Sequence, residues 1–460
     1  MQIKDQSDTI CALSTPSGTG ALSVIRISGS RAIEACGAQL DRDLSRLPGY
    51  STVFARYKVG ERLIDEVLVT VLRGPRSFTG EDTVEISCHG SPYIQQQILQ
   101  SLIAGPCRMA EPGEFSMRAF ANGKMDLSRA EAIADLIASS SAASHRMAME
   151  QLRGGLSRKI NALRQELIDF ASLIELELDF SEEDVEFADR AQLDSSLRHI
   201  QAVIGELLAS FASGTAVKNG LPVAIVGAPN MGKSTLLNAL LQEDRALVSD
   251  IPGTTRDSIE DQVNIGGMSF RFIDTAGIRD TDDVVEGLGI ARTIDKARSS
   301  AVILYITDAL ESHPRAAREQ LEELERKTGG RAQVITLANK VDMAPDMAAL
   351  EQKWQGSDAL LISAAEGSGL DALRERLLGI AGELVPAEGD TVVSNLRHFE
   401  ALKKSAEALA QVRAGLESGL TSDLLALDIR QSLHHLGEIT GEITTEDLLG
   451  NIFSRFCIGK

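Results

Sequence analysis

The chain has 460 residues, 43% hydrophobic composition and a formal net charge of −20. This length suits about three domains, and the acidic charge argues against a protein that holds nucleic acid through its overall electrostatics. No apolar run approaches the roughly 18 residues of a membrane span, and residues 1–6 lack a charged and apolar leader. We therefore expect a cytoplasmic protein with no membrane association. The cysteines lack metal-ligand spacing, which favours reduced thiols; they are Cys11, Cys36, Cys88, Cys107 and Cys457.

Residues 1–123 predict a mixed α/β domain. Short β-branched or apolar runs bounded by Gly, Pro and Ser predict strands at 9–13, 21–27, 67–72 and 83–88. Segments near 30–39 and 92–104 have helical spacing. In and just after this domain, the polar residues that could meet a ligand are Arg26, Glu85, His89, Arg118 and Lys124. Composition alone favours a solvated or structural role for each of them.

The segments 124–215 and 381–460 predict helices. Apolar residues recur at three- and four-residue steps in 160–178, in 399–416 and in 425–436. The acidic run 179–186 that follows the first stripe is explained by a solvated face. Because each stripe must be covered by another apolar face, we predict one discontinuous helical domain into which residues 216–380 are inserted.

The inserted segment contains a glycine-rich loop, Gly227-Ala228-Pro229-Asn230-Met231-Gly232-Lys233-Ser234, between an apolar strand at 221–226 and a helix from Thr235. This is the pattern of a phosphate-binding loop. Backbone N–H groups and the helix N-terminus would surround an anion, Lys233 would reach the outer phosphates, and the Ser234 hydroxyl would bind Mg²⁺. Further strands at 269–273, 301–306, 334–338 and 360–362, alternating with helices, predict a mostly parallel sheet.

Later segments follow at the order and spacing of a GTPase. In the polar loop 250–257, Thr255 can complete the Mg²⁺ shell. In 274–277, Asp274 can hold Mg²⁺ through water and Gly277 can reach the γ-phosphate.

The run Asn339-Lys340-Val341-Asp342 follows a predicted strand. The Asp342 carboxylate can accept two hydrogen bonds from guanine, a donor pair that adenine lacks, and such pairing can reject the wrong ligand by roughly 10⁴-fold. Ser363-Ala364-Ala365 is placed to contact the base oxygen through its backbone. Together these segments predict GTP as the ligand.

The water-positioning glutamine of Ras-like and Gα GTPases is replaced here by Ile278, which has no polar side-chain atom. Some cation must also meet the charge that develops between the β- and γ-phosphates. The Asn230 carbonyl could bind a monovalent ion there, and an ordinary turn residue is an equally good interpretation of Asn230.

The whole chain resembles the MnmE (TrmE) family of tRNA modification GTPases. The motifs that carry the resemblance are Thr15-Pro16, 24–29 (VIRISG), 78–82 (FTGED), 112–115 (PGEF), 253–257 (GTTRD) and 456–460 (FCIGK). The resemblance implies an N-terminal folate-binding-like domain (1–123) that dimerises, a helical domain (124–215 and 381–460) and an inserted Ras-like GTPase domain (216–380).

The resemblance also implies the ligands and partners. Arg26, Glu85, Lys124 and Lys460 match positions that hold 5-formyl-tetrahydrofolate or 5,10-methylene-tetrahydrofolate. K⁺ would be bound by Asn230, Ser249, Ile251 and Thr254, and Glu286 would position the attacking water. Ser249 and Pro252 depart from residues common in the family, which a K⁺ ligand taken from the backbone would tolerate. A catalytic role for Cys457 is the weaker interpretation, since a lone thiol is usually inert.

The motifs together with the resemblance imply a K⁺- and Mg²⁺-dependent GTPase with Glu286, Asn230 and Lys233 as catalytic residues. As a homodimer, joined to the FAD-dependent MnmG (GidA) in a heterotetramer, it would help add an aminomethyl or carboxymethylaminomethyl group to the wobble uridine of tRNA. A ribosome-assembly GTPase switch and a helical scaffold with a vestigial GTPase domain are the alternatives. The predicted nucleotide contacts are Asn230, Met231, Gly232, Lys233, Ser234, Thr235, Ser249, Asp250, Ile251, Pro252, Gly253, Thr254, Thr255, Asp274, Thr275, Ala276, Gly277, Asn339, Lys340, Val341, Asp342, Ser363, Ala364 and Ala365.

Overall fold

The computed structural model describes residues 8–179, 190–244, 261–273, 298–330, 332–384, 389–418, 420–454 and 456–459. The chain divides into two compact units. The first takes Met1–Ala134, Gln151–Ile204 and Glu400–Lys460, and the second takes Asp135–Glu150 and Gly205–Phe399. The domain boundaries expected near 123, 215 and 380 stay predictions.

The strands, β1 to β12 in chain order, are Thr9–Leu13, Leu22–Ser28, Ser51–Val59, Arg62–Leu72, Thr83–His89, Cys107–Met109, Leu221–Val226, Asp261–Ile265, Met268–Phe272, Val302–Asp308, Gln333–Asn339 and Leu360–Leu361.

The helices, α1 to α15 in chain order, are Ala32–Gly37, Pro92–Ile103, Glu114–Ala121, Leu127–Ala138, Ala142–Leu152, Gly155–Asp179, Arg190–Ala209, Phe211–Asn219, Lys233–Asp244, Pro314–Thr328, Met347–Trp354, Leu370–Leu384, Leu396–Glu417, Ser422–Thr440 and Glu446–Phe453. A 3₁₀ turn spans Val341–Met343.

The first unit contains a six-stranded sheet in the order β3-β4-β5-β2-β1-β6. Its pairs are antiparallel except for β1 with β6. Alternate residues of β2, β4 and β5 are buried against α1 and α2, as the period of two in a strand requires. Ile25, Val69 and Ile86 belong to this core, and the residues between them point to the opposite face of the sheet.

The helical part of the first unit pairs the predicted stripes with each other. Helix α6 packs along α14, and Arg164 of α6 forms an ion pair with Glu442 just past the end of α14. Ser405 of α13 and Ser432 of α14 share a buried hydrogen bond of 2.7 Å. The long-range pairing of helices that precede and follow the nucleotide segment is confirmed, because neither stripe can face water.

The second unit contains a six-stranded sheet in the order β12-β11-β10-β7-β9-β8. All its pairs are parallel except the β8–β9 hairpin. Helices α9 and α12 cover one face, where Leu237 and Leu373 lie in the core, and α10 and α11 cover the other, where Ala317 and Trp354 lie. The predicted class is confirmed: mixed α/β sheets, one of them mostly parallel, together with an all-α part.

One helical stretch, Asp194–Asn219, is long and apolar enough to cross a membrane by length and composition, with a hydropathy of 1.4 over its most apolar window. This qualifies the expectation that no segment comes near a membrane span. A third of that window (33%) is buried inside the protein. Core helices of proteins without any membrane contact pass the same test, so this single stretch is weak evidence for a span.

Candidate functional site

The glycine-rich loop joins β7 to α9, at the carboxyl end of one of the two central strands of the parallel sheet. A Cβ at Gly227 would collide with the carbonyl oxygen of Ile306, and one at Gly232 (φ +94°) would collide with the side-chain nitrogen of Asn339. Asn230 has a φ of 62°, in the left-handed region that asparagine tolerates better than most residues. The loop is therefore tightly wound against neighbouring strands, with its backbone close to where an anion would bind.

The Lys233 ammonium group folds back over its own loop. It donates hydrogen bonds to the carbonyl oxygens of Gly227 (2.9 Å) and Ala228 (2.8 Å). Burial lowers the pKa of Lys233 from its ordinary value, because removal from water disfavours the charged form. Phosphate oxygens would offer this cation stronger partners than neutral carbonyls.

Ser234 is half-buried in the first turn of α9 and Thr235 is exposed beside it. A hydroxyl at this point of the helix, next to the predicted phosphate position, has the oxygen chemistry that Mg²⁺ prefers. Asn230 is exposed on the loop, where its side-chain carbonyl could join a cation site. The donor types of these residues fit the predicted Mg²⁺ and K⁺ positions.

Asn339 ties the phosphate loop to the loop after β12. Its side-chain nitrogen donates to the Met231 carbonyl oxygen at 2.8 Å, and its side-chain oxygen accepts from the Ala364 backbone N–H at 2.9 Å. The residue is 3% exposed, so both ends of the amide are used inside the protein. A single side chain thus fixes the spacing between the predicted phosphate and base contacts.

The predicted base loop lies beside this bridge. Ser363 is fully buried, and its hydroxyl donates to an Asp342 carboxylate oxygen at 2.6 Å. Asp342 itself is exposed, as is Ala365, and Val341 is anchored through its backbone N–H to the Ile362 carbonyl oxygen at 3.3 Å. Asp342 is therefore oriented by Ser363 while it stays accessible to a ligand.

Lys340, also predicted to contact the nucleotide, forms an ion pair of 2.9 Å with Asp308 at the end of β10. Sequence reasoning missed Asp308. A sequence signal was available, because Asp308 lies near the carboxyl end of a predicted parallel strand. Ligands bind at this edge in open α/β sheets.

Several predicted residues lie outside the described part of the chain, so their geometry stays a prediction. They are Ser249, Asp250, Ile251, Pro252, Gly253, Thr254, Thr255, Asp274, Thr275, Ala276, Gly277, Ile278, Glu286 and Lys460.

In the first unit, Arg26 and Glu85 lie directly opposite each other on β2 and β5. Arg26 Nε donates to Glu85 Oε1 at 2.9 Å, and the two side chains are 21% and 28% exposed. The guanidinium also lies 5.4 Å from the ring centre of Phe78 and 5.7 Å from that of Phe115. Packing between aromatic rings and a carboxylate orients the cation in a partly dry surrounding.

The C-terminal segment reaches this pair. The Gly459 carbonyl oxygen accepts from Ser14 Oγ at 3.2 Å and from Arg26 at 3.4 Å. Gly459 has a φ of +97°, and a Cβ there would collide with the Leu13 carbonyl oxygen. Only glycine fits this position, which places the Gly459 carbonyl beside Arg26.

Lys124 has no direct contact with the Arg26–Glu85 pair among the described contacts. Its ammonium donates to the Pro75 carbonyl oxygen at 2.8 Å, and its stem packs on Gly80. Among the contacts of the described residues, none joins Lys124 to Arg26 or Glu85. The loop that carries Phe78 and Gly80 is the physical link between them.

Two other candidate polar residues have structural partners. Arg118, only 3% exposed, bonds Asp8, Glu81 and Glu114. His89 Nδ1 lies 2.7 Å from a buried Asp65 oxygen. For Arg118, these buried ion pairs agree with the structural role that composition favours.

Cys457 is exposed and the other cysteines, Cys11, Cys36, Cys88 and Cys107, are buried; all are free thiols. Within the described residues, no group of three or more His, Cys, Asp or Glu side chains forms a metal site.

Comparison with known proteins matches two family models, "GTP-binding protein TrmE N-terminus" over residues 9–124 and "MnmE helical domain" over residues 127–457. The chain is 52% identical to a tRNA modification GTPase MnmE of Christiangramia forsetii, covering 99% of both chains. It is 50% identical to the protein of that name from Flavobacterium johnsoniae, covering 98% of this chain and 99% of the relative. A Bacteroides fragilis relative of the same name is 49% identical over 98% of this chain and 99% of its own length.

Proposed function

The chain belongs to the MnmE family of tRNA modification GTPases, and from that premise we propose that it is a K⁺-dependent GTPase that helps modify the wobble uridine of tRNA. It hydrolyses GTP and acts in tRNA modification, as its full-length relatives do. The observation that carries the GTPase assignment is the Asn339 bridge, because it couples a loop built for phosphates to a loop with an oriented aspartate for guanine.

For hydrolysis, Lys233 would turn from its loop carbonyls to the phosphates, and the hydroxyls of Ser234 and Thr255 would hold Mg²⁺. Asn230, with Ser249, Ile251 and Thr254, would hold K⁺, and Glu286 would orient the attacking water. When bound, the two metal ions neutralise the charge that develops on the phosphates.

For the one-carbon step, we place a tetrahydrofolate beside Arg26, Glu85 and the end of the chain at Lys460, with Lys124 at its rim. Cations suit the carboxylates of the folate tail, and a carboxylate suits the donors of the pterin ring. The seat of Gly459 supports this placement, because it holds the C-terminal segment against Arg26. An assembly switch that binds no small ligand here would have no use for such a seat.

We also propose that the protein is a homodimer that works with an FAD-dependent partner, MnmG, on tRNA in the cytoplasm. The outer sheet face supports dimerisation: Phe54 and Leu68 lie opposite each other on β3 and β4 and are 52% and 50% exposed. Paired exposed apolar side chains of this kind favour a protein contact. The partner would supply much of the tRNA-binding surface, which suits an acidic GTPase with a net charge of −20.

The GTPase rate in KCl against NaCl tests the ion assignment. We expect activity in KCl that falls sharply in NaCl, and a salt difference that disappears in Asn230→Ala. Glu286→Ala should lower the rate about a hundredfold with unchanged GDP affinity, the effect of losing a group that positions the nucleophile. Equal rates in both salts would refute the K⁺ proposal.

Calorimetric titration with 5-formyl-tetrahydrofolate tests the ligand assignment. Arg26→Ala and deletion of Lys460 should each weaken binding about tenfold or more. Arg56→Ala is the matched control, because Arg56 also pairs with a glutamate across neighbouring strands of the same sheet, at 3.3 Å from Glu66. Affinity that is unaffected by Arg26→Ala, or no binding to the folded protein, would refute the folate site.

A further inference from the structure

Asp308 is a buried carboxylate at the edge of the nucleotide site. It ends β10 and lies directly opposite Asn339 of β11 in the strand register. Its side chain is 6% exposed, and one oxygen lies 2.9 Å from the Lys340 ammonium. A buried charge of this kind needs a partner, and Lys340 supplies it.

The turn after Asp308 holds this carboxylate in place. Its second oxygen accepts the backbone N–H groups of Leu310 at 2.8 Å and Glu311 at 3.2 Å. Helix α11 then clamps the same turn: the Trp354 indole donates to the Ala309 carbonyl oxygen at 3.0 Å, and Lys353 donates to the Leu310 carbonyl oxygen at 2.7 Å. Asp308 therefore presents a fixed anion to Lys340.

Hydrogen bonding also keeps that anion charged. Burial acts to raise the pKa of Asp308, but the bonds from Lys340 and from two backbone N–H groups outweigh it and leave the pKa below its usual value. At neutral pH Asp308 is therefore a carboxylate.

The Lys340 backbone is fixed as firmly as its side chain. Its φ is 70°, a left-handed conformation that is rare for lysine. The preceding Asn339 bridges two loops, and the following Val341 is bonded to Ile362. With its backbone and its ammonium both held, the methylene stem of Lys340 has little freedom left.

We propose that Asp308 is a positioning residue for nucleotide binding, which holds Lys340 so that its stem flanks the base next to Asp342. This rests on the proposed guanine-nucleotide site. Because the base is common to GTP and GDP, Asp308 contributes equally to the affinity for both nucleotides and little to the chemical step. It acts through Lys340 and has no contact with the ligand of its own.

The test compares Asp308→Asn, Lys340→Met and the double variant in the full-length protein. Asparagine keeps an oxygen for the Leu310 and Glu311 N–H groups and replaces the charged oxygen that faces Lys340 with a neutral NH₂ group. Asp346→Asn is the matched control: Asp346 also accepts two backbone N–H groups, from Ala348 and Ala349, and it is exposed. Affinities for GDP and a non-hydrolysable GTP analogue are measured by calorimetry, and KM and kcat by phosphate release.

We expect Asp308→Asn to weaken both nucleotides by about tenfold, as loss of a charge-assisted contact does, to raise KM and to leave kcat unchanged. In the Lys340→Met background the same substitution should have no further effect, whereas Asp346→Asn should match the parent. The emission of Trp354, the chain's single tryptophan, should stay that of a buried indole, because the turn is kept.

Additive losses in the double variant, or an Asp308→Asn affinity equal to the parent's, would overturn the positioning role. A red-shifted Trp354 emission with the same loss in both backgrounds would do so too, since it would mean that Asp308 acts on the fold. A parent protein that binds neither guanine nucleotide would overturn the proposed function itself, which separates the two failures.

Discussion

The two sheets place their candidate ligand residues in different ways. In the parallel sheet of the second unit, Gly232, Asn339 and Asp342 lie in or beside the loops that follow β7 and β11. In the mostly antiparallel sheet of the first unit, Arg26 and Glu85 lie within β2 and β5, on the face away from α1 and α2. One site is an edge of strand ends and the other is a patch on an open face.

This difference has a physical consequence. At the edge of a parallel sheet the ligand residues are held by backbone turns and by one buried amide, so the loss of a single contact disturbs several loops. On the open face each residue is supported by the pleat of its own strand, and a substitution acts locally. The following predictions test that contrast.

Removal of the Asn339 amide should have the largest effect. Asn339→Ala leaves the part-buried Met231 carbonyl oxygen and the buried Ala364 N–H without their partner. Two polar groups left unpaired in this way can cost about a hundredfold in GDP affinity. Calorimetry measures the GDP affinity of each variant. Asn238→Ala, on the exposed side of α9, is the control, and equal affinities for the two variants would contradict the bridge.

Substitution of Gly459 should have a smaller and more local effect. In Gly459→Ala the new methyl group meets the Leu13 carbonyl oxygen, so we expect about a tenfold loss of 5-formyl-tetrahydrofolate affinity with an unchanged GTPase rate. Gly389→Ala shares the positive φ (+91°) but has open space around it, so it controls for backbone strain. If both variants bind the folate with the affinity of the parent, the position of Gly459 does not contribute to folate binding.

The smallest expected effect is on the pH dependence of stability, through the buried ion pairs of Glu114. Burial acts to raise the pKa of Glu114, but hydrogen bonds from Arg108, the Glu111 N–H and Arg118 bring it below its ordinary value of 4.5. The unfolded chain therefore takes up this proton first, so the stability that Glu114 contributes is present above about pH 4.5 and is lost as the pH falls further.

Glu114→Gln should lower the midpoint of thermal unfolding by about 5 °C at pH 7, because it removes one of the carboxylates that compensate the buried charge of Arg118. The deficit should shrink at pH 3.5, where the parent has lost part of the same stabilisation. Glu34→Gln, which breaks the exposed pair with Arg31, is the control. A deficit that is the same at both pH values would show that the charge of Glu114 is not what matters.

Much of the parallel sheet was predictable from local pattern. The central strand β7 matches its predicted bounds, 221–226, because a strand buried on both faces is an uninterrupted apolar run ended by glycine. By contrast β3 was missed, since its half-exposed pattern mixes Arg56 and Lys58 with apolar residues. Strand β8, which forms a hairpin with the predicted strand β9, was also missed. Gly266-Gly267, with φ values of +56° and +82°, is a hairpin signal that sequence reasoning can use.

The site residues divide in the same way. Lys233, Asn339 and Asp342 were named because their types and spacing carry the chemistry. The bridge between Met231 and Ala364 and the pairing of Lys340 with Asp308 depend on which strands become neighbours, and that is a tertiary fact. For Lys124, the resemblance placed it with Arg26, yet its contacts in the structure run through Gly80.

The Asn339 bridge implies that the two halves of a nucleotide bind cooperatively. A phosphate group that orders the loop around Met231 restrains, through the Asn339 amide, the backbone of Ala364, which is predicted to contact the base. The conformational entropy lost on ordering the first loop is then not lost again for the second. Guanosine should therefore bind more tightly when an anion already occupies the phosphate loop. The binding of guanine and the binding of phosphate would then be coupled.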